Sequence, residues 1–321
     1  MDMNIVVLEQ KSIGDDIDLT IYEDFGNVTY YANTLDEQIA ERVRDADVIV
    51  VNKGPMNEST LKDAAHVKLI CLFATGYDNV DLEYCKKRGI GVANVVDYST
   101  AAVAQHTFAM ALYLLERLPF YDNYVKSGAY GAQDRFSNFD EPFVELEGKT
   151  WGIIGLGNIG KKAAKIAEGF GCHVIYYSVT GRNSSTEYER VDFDELLERS
   201  DFLSVHCPLS DLTLNLIDYE AMKKMKKTAI LLNVARGPVV NNKDLYRALM
   251  EDEIYAAGLD VLEQEPIGQD NPLGKIQDSR RLIITPHMAW ASTEARTRLA
   301  VEVYKNIEAF LKGEKRNIVN A

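Results

Sequence analysis

Short apolar runs alternate with amphipathic stretches along most of the chain. In its first part the runs are Ile5–Leu8, Val28–Tyr31, Val48–Val51, Leu69–Phe73 and Ile90–Ala93, with helical spacing in Leu35–Val43 and Leu82–Lys87 between them. Apolar runs separated by helical segments predict a parallel sheet with helices on its faces. A long helix from about Ser99 to Arg117 follows. Its apolar part, Ala101–Leu115, is interrupted by Gln105 and His106 and ended by Glu116-Arg117. That is short of the roughly 18–20 apolar residues a membrane span needs, so it reads as a buried central helix. Ser127–Gly148, rich in glycine, aromatic and charged residues, breaks the pattern and reads as a loop.

A second alternating series begins at Lys149. Its strand candidates are Trp151–Ile154, His173–Tyr177, Phe202–His206, Ala229–Asn233, Ala256–Leu259 and Leu282–Thr285. Two successive series predict two α/β lobes with a cleft between them. An amphipathic helix, about Ser292–Leu311, closes the chain.

With 321 residues, 46% hydrophobic and 26% charged, the chain has a globular composition and room for two domains without metal or disulfide staples. Its 35 Lys and Arg against 49 Asp and Glu leave a net charge of −14. Such a surface repels nucleic acid and anionic membranes, so neither is expected as a partner. Met1-Asp2-Met3-Asn4 leads into the first apolar run without a basic segment or a long apolar one, which reads as a strand and not a signal peptide. Cys71, Cys85, Cys172 and Cys207 form no CxxC pair and have no metal-like spacing with histidine. A reduced, cytoplasmic protein with no bound metal is expected.

Trp151-Gly152-Ile153-Ile154 runs straight into Gly155-Leu156-Gly157-Asn158-Ile159-Gly160 and then into a helical pattern. A GxGxxG sequence between strand and helix predicts dinucleotide binding. Gly155 permits the tight turn, Gly157 lets a pyrophosphate approach the backbone, and Gly160 lets the helix pack on the sheet. The phosphates then meet the free N–H groups of the helix start, at Asn158 and Ile159. The acidic residue that holds the adenosine ribose belongs about 18–20 residues further on. Ser178 stands there instead, followed by Thr180, Gly181 and Arg182. Without a carboxylate nothing repels a 2′-phosphate, and Arg182 can pair with one. The alternative is a solvated Arg182, with Ser178 serving the ribose of NAD. NAD(H) and NADP(H) both stand open.

Three strand candidates end in chemically suggestive residues. Ala229–Asn233 runs into Val234-Ala235-Arg236-Gly237, Ala256–Leu259 into Asp260 and then Glu263-Gln264-Glu265-Pro266, and Leu282–Thr285 into Pro286-His287. In an open α/β sheet ligands sit beyond such strand ends. Together with Ala74-Thr75-Gly76-Tyr77-Asp78-Asn79-Val80-Asp81 and Pro286-His287-Met288-Ala289-Trp290, these segments resemble the D-2-hydroxyacid dehydrogenase family, nearest its glycerate dehydrogenase/hydroxypyruvate reductase branch. The resemblance covers essentially the whole chain.

It implies two doubly wound lobes. Residues 100–290 would be a Rossmann cofactor domain, and 1–99 with 291–321 a flavodoxin-like substrate domain completed by the C-terminal helix. It implies His287 as proton donor to the 2-keto oxygen, Glu265 as its partner, and Arg236 binding the substrate carboxylate and polarising the carbonyl. Backbone N–H groups at Thr75 and Gly76 would hold the carboxylate. Asp260 and Ala235 are expected near the cofactor and Pro208 against its adenosine, while His66, His106, His173 and His206 match no catalytic position. It also implies a homodimer through Ala101–Leu115 and the Tyr130–Phe143 loop. Lys53 either faces the cleft, which suits a small polar acid such as hydroxypyruvate or glyoxylate, or is a surface residue before Gly54-Pro55. Formate dehydrogenases of the superfamily place glutamine at the Glu265 position, which argues against that chemistry. Phosphoglycerate dehydrogenases often add a regulatory domain after the last helix. A nucleotide-sensing corepressor-like protein keeps the same Arg, Glu and His and is the rival of another class.

Overall fold

Apolar strands buried on both faces are what a parallel sheet covered by helices requires, and the chain forms two such sheets. The computed structural model describes residues 3–321, which fall into two units: the chain up to Ser99 with Ala291–Ala321, and Thr100–Trp290.

The first unit holds β1 (Met3–Val7), β2 (Gly26–Tyr30), β3 (Val48–Val51), β4 (Leu69–Leu72) and β5 (Gly91–Ala93), all parallel, in the order β2-β1-β3-β4-β5. Every residue of the central β3 and β4 is buried, whereas edge strand β2 alternates half-buried and exposed positions. The helix Thr293–Leu311, capped by Ser292, returns to this unit. Its Ala300 carbonyl accepts the Tyr22 hydroxyl at 3.0 Å, Arg298 Nε donates to Tyr98 O at 2.9 Å, and Asn306 Nδ2 donates to Asn94 O at 2.9 Å.

The second unit holds β6 (Thr150–Ile154), β7 (His173–Tyr177), β8 (Glu189–Arg190), β9 (Phe202–Val205), β10 (Ile230–Asn233), β11 (Ala256–Leu259) and β12 (Leu282–Ile284). They form one parallel sheet in the order β12-β11-β10-β9-β6-β7-β8. The short edge strand β8 is too polar to read as a strand in sequence. At the centre the Trp151 ring stacks on Phe202 at 5.1 Å and on Phe108 at 4.3 Å, and its Nε1 donates to Ser204 Oγ at 2.9 Å.

Phe108 belongs to the helix Thr100–Leu115, whose buried side chains also include Val103, Met110, Ala111 and Leu114. The fit on the sheet is close. A Cβ on Gly258 would lie 2.9 Å from Leu232 Cδ2 and 3.2 Å from Met110 Cβ. The apolar character of this helix is thus accounted for by its own unit and is no evidence for a partner. The exposed apolar groups lie in the following arm instead, with Phe136 89% and Phe139 72% exposed. That arm is not wholly irregular. Pro119 helps start a helix, Leu118–Lys126, after Arg117 turns the chain at φ 55°, and Ala129–Ala132 forms a second short one.

Each sheet has one point where the winding reverses: between β1 and β3 in the first unit, between β6 and β9 in the second. Ligand crevices of open α/β sheets lie at such points, beyond the carboxyl ends of the strands. Among the described residues no helix is long and apolar enough to cross a membrane, and no group of three or more His, Cys, Asp or Glu is placed to hold a metal ion.

Candidate active site and nucleotide site

The reversal point of the second unit is built for an anion. Gly155 sits at φ 90°, and a Cβ there would lie 2.9 Å from Cys207 N. A Cβ on Gly160 would lie 2.3 Å from Gly155 O, so helix and turn touch backbone to backbone. Around Gly157, by contrast, nothing stands within 4 Å of an added Cβ. The helix Asn158–Gly169 starts there with no side-chain cap, so its first turn offers N–H groups and the positive end of its dipole to a phosphate. Ile159 is half-buried against the core, and Asn158 is exposed.

Across the crevice, exposed Pro208 follows β9, its carbonyl accepting the Thr213 hydroxyl at 2.8 Å. His206, just before it, has both ring nitrogens buried and without a protein partner, and burial pushes its pKa down to about 4. The open glycine turn before an uncapped helix start offers unpaired amides to an anionic ligand. A dinucleotide therefore fits the residues present.

At the end of β7, Ser178 is buried, and its hydroxyl accepts the Asn183 amide at 3.2 Å. That bond uses the Ser178 oxygen as acceptor and leaves its hydroxyl proton to donate, and the Asn183 side chain donates to Leu156 O in the glycine turn. Lys161, Arg182, Asn183, Ser184 and Ser185 line an open depression beside it. Arg190 reaches the same loop, its Nη1 3.4 Å from Gly181 O. Of the nearby acids, Glu189 is turned away into a two-pronged pair with Arg199 at 2.8 Å. Lys161 and Arg190 were not singled out in the sequence; one lies on the far side of the glycine turn and the other on β8.

Arg236, Glu265 and His287 follow β10, β11 and β12, which are neighbours in the sheet. The Asn233 side chain closes the Arg236 turn: its Oδ1 accepts Ala235 N at 3.1 Å and its Nδ2 donates to Arg236 O at 3.0 Å. Of the Arg236 guanidinium, Nη1 donates to Ala235 O at 2.8 Å, and among the described residues its other N–H groups have no protein partner. Gly237 is sterically required, since a Cβ would lie 1.8 Å from Leu262 O. The Arg236 turn therefore rests directly on the segment leading to Glu265.

Glu265 Oε1 accepts Leu262 N at 2.9 Å, and Oε2 lies 2.6 Å from His287 Nδ1. A carboxylate at that distance fixes the proton on Nδ1. It leaves Nε2 of His287 without a protein partner among the described residues. Asp260 is 2% exposed, and its carboxylate anchors the His287 loop: Oδ1 accepts the Thr285 hydroxyl at 2.6 Å and Met288 N at 2.7 Å, and Oδ2 accepts Ala289 N at 2.8 Å.

In the first unit the amides of Thr75 and Gly76 have no partner among the described residues. Their loop is held from beneath by the Thr75 hydroxyl donating to Val95 O at 2.7 Å and by Asn94 Nδ2 donating to Thr75 O at 2.8 Å. Lys53 is exposed, and its ammonium has no partner among the described residues. Glu9, unremarked in the sequence, sits at this unit's reversal point. Its Oε2 accepts the amides of Asn52, Lys53 and Gly54 at 2.7, 2.9 and 3.2 Å, and Asn79 Nδ2 donates to Gly54 O at 2.8 Å. The four cysteines are free and buried, and burial pushes the thiols of Cys85, Cys172 and Cys207 up to about 11.

Residues 108–289 match the model of a family described as D-isomer specific 2-hydroxyacid dehydrogenase, NAD binding domain. The chain is 38% identical over 325 residues to a hydroxypyruvate reductase of Blautia hydrogenotrophica, covering 99% of this chain and 100% of that one. It is 38% identical over 324 residues to a glycerate dehydrogenase of Methylorubrum extorquens, covering 100% of both. Among solved structures, D-lactate dehydrogenase from Aquifex aeolicus complexed with NAD and lactic acid has a TM-score of 0.85 and 31% identity, covering 99% of each chain.

The buried His206 makes stability depend on pH. Its pKa is near 4 in the folded chain against 6.5 as the ordinary value, so the unfolded chain takes up the proton first as the pH falls. Its contribution is present above pH 6.5 and is lost toward pH 4, amounting to roughly 2 kcal/mol between neutral pH and about pH 5. Urea unfolding of the nucleotide-free protein is expected to show that extra loss in wild type and not in His206→Asn. Equal losses in both would contradict the assignment.

Proposed function

The chain belongs to the D-isomer specific 2-hydroxyacid dehydrogenases, oxidoreductases that work with a nicotinamide nucleotide, and on that premise we propose that it reduces a small polar 2-keto acid, hydroxypyruvate or glyoxylate, to the corresponding 2-hydroxy acid. The observation that carries the reading is the His287–Glu265 pair. It leaves one imidazole nitrogen open, two strands along the sheet from an arginine with open donors.

When bound, the nicotinamide supplies the hydride for the keto carbon. The chain's residues do the rest. His287 Nε2 gives the proton to the carbonyl oxygen, and in the reverse direction takes it from the hydroxyl. Glu265 holds the ring by Nδ1 and offsets its charge. Arg236 binds the carboxylate and draws electron density from the carbonyl, a task its planar fork of donors suits. In the first unit the open amides of Thr75 and Gly76, and Lys53, are assigned to substrate binding. Gly155, Gly157 and Gly160, with the helix start at Asn158 and Ile159, hold the pyrophosphate; Pro208, Ala235 and Asp260 bound the rest of the nucleotide. Glu265, where formate chemistry has glutamine, supports the hydroxy-acid reading over that rival. The hydroxypyruvate reductase and glycerate dehydrogenase relatives, matched over essentially their full length, support catalysis over nucleotide sensing alone. Four buried thiols fit a reducing, cytoplasmic setting.

His287→Ala is expected to lower kcat for hydroxypyruvate by about 10²–10⁴-fold. Near-normal turnover in a stopped assay of nicotinamide oxidation would refute the proton-donor role.

For the nucleotide we favour NADPH as well as NADH. Lys161 and Arg182 line a depression with no carboxylate on its lining, beside a strand end that lacks the ribose-binding acid, and Arg190 reaches the same loop at Gly181 O. A charge-assisted pair with a 2′-phosphate, worth about 1.5–3 kcal/mol, corresponds to roughly tenfold or more in affinity. Lys161→Ala and Arg182→Ala should each raise KM for NADPH about tenfold while leaving KM for NADH within about twofold. Equal effects on both nucleotides would contradict the assignment.

A homodimer is proposed through the arm that carries exposed Tyr130, Phe136, Phe139 and Phe143 and the exposed face of the preceding helix at Ala101, Gln105 and Ala109. Light scattering at micromolar concentration should give twice the chain mass, and Phe136→Asp with Phe139→Asp should give the chain mass. A monomeric wild type would refute it.

A further inference from the structure

We propose that His106 is a positioning residue for the reaction, acting through Thr285 and Asp260 on the loop that carries His287; the proposal rests on the catalytic reading of His287 given above. His106 interrupts the otherwise apolar face of the helix Thr100–Leu115, and its Nε2 lies 2.9 Å from Thr285 Oγ1. The Thr285 hydroxyl has one proton, and it goes to Asp260 Oδ1 at 2.6 Å. The oxygen must therefore accept from His106, which places a proton on Nε2 and fixes the direction of the whole relay: imidazole N–H to hydroxyl, hydroxyl to carboxylate. His106 Nε2 is itself 3.6 Å from Asp260 Oδ1.

What this relay holds is the geometry of His287. The backbone of His287 is at φ 55°, a conformation that residues other than glycine seldom adopt and that persists only where its surroundings enforce it. The enforcement comes from one short stretch. Asp260 O accepts His287 N at 2.9 Å, Leu259 O accepts Thr285 N at 2.9 Å, and the Asp260 carboxylate accepts Met288 N and Ala289 N. The carboxylate is buried, so its orientation is set by its donors. Thr285 is the only side-chain donor among them, and His106 is the group that keeps that hydroxyl pointed at it. Without His106 the hydroxyl is free to turn, Asp260 loses a directed bond, and the loop relaxes. A shift on the ångström scale at a proton donor is enough to cost about 10²-fold in rate. A leucine would fill the space beside the helix equally well, but it would not direct a hydroxyl.

The test uses the full-length enzyme and its oxidation of NADH with hydroxypyruvate, with thermal unfolding recorded for each variant. His106→Ala and Thr285→Val should each lower kcat about ten- to a hundredfold, with KM for the keto acid changed by less than about threefold. The double variant should be no worse than the poorer single one, because both substitutions cut the same relay. His106→Gln, which keeps a donor of similar reach, and Thr285→Ser should restore most of kcat. Thr285→Val and Thr285→Ser carry the test should His106→Ala fail to fold. The inference is overturned if either single removal keeps wild-type kcat, if the two effects multiply, or if His106→Gln is as impaired as His106→Ala. Inactive His287→Ala beside fully active His106→Ala would overturn this inference alone. A wild type inactive on every 2-keto acid would overturn the function and the inference together.

Discussion

Burying a carboxylate is costly unless it is fully bonded, and Asp260 meets that condition by drawing the chain after β12 back onto itself. Its two oxygens collect a hydroxyl and two backbone amides from Thr285, Met288 and Ala289, while its own carbonyl accepts the amide of His287. The left-handed backbone of His287 follows from that wrapping. The same stretch of chain fixes the other two groups. Leu262 N braces Glu265, and Leu262 O is packed so tightly on Gly237 that no side chain fits, which sets the turn carrying Arg236. Acid, imidazole and guanidinium are thus placed by one short segment, Asp260 to Glu265, and not by three independent loops.

The two sheets show how one architecture is used in two ways. Both present a reversal point with backbone amides beyond the strand ends. In the second unit those amides face open space at Gly157, and a phosphate can take them. In the first unit the chain's own carboxylate lies at the reversal point: Glu9, after β1, accepts the amides of Asn52, Lys53 and Gly54 that follow β3. Those three amides are thereby satisfied within the unit, and its open amides lie at Thr75 and Gly76, one strand further along.

Much of this was legible in the sequence, because strands buried on both faces and a glycine turn between strand and helix are local patterns. Arg236, Glu265 and His287 were legible as residues at strand ends and through the resemblance they carry. The rest depends on contacts between distant segments. Glu9 meets residues 43 to 45 positions away, and nothing around it in sequence distinguishes it from a surface acid. Lys161 joins Arg182 only because the helix start and the loop after β7 are neighbours in space. Ser178 stands at the counted position for ribose binding, and its hydroxyl also accepts the Asn183 amide, a loop contact that no count reveals. The apolar side chains of the helix Thr100–Leu115 line the core of their own unit, while Ala101, Gln105 and Ala109 form its exposed face.

The central claim is that the His287–Glu265 pair and Arg236 hold a 2-keto acid in one orientation for proton and hydride addition. The chirality of the product tests it most directly, because only a substrate fixed by its carboxylate presents a single face. Reduction of hydroxypyruvate by the wild-type enzyme with NADH or NADPH, followed by chiral chromatography of the glycerate formed, should give the D enantiomer alone. Racemic or L-glycerate, or no glycerate with either nucleotide, would contradict the account.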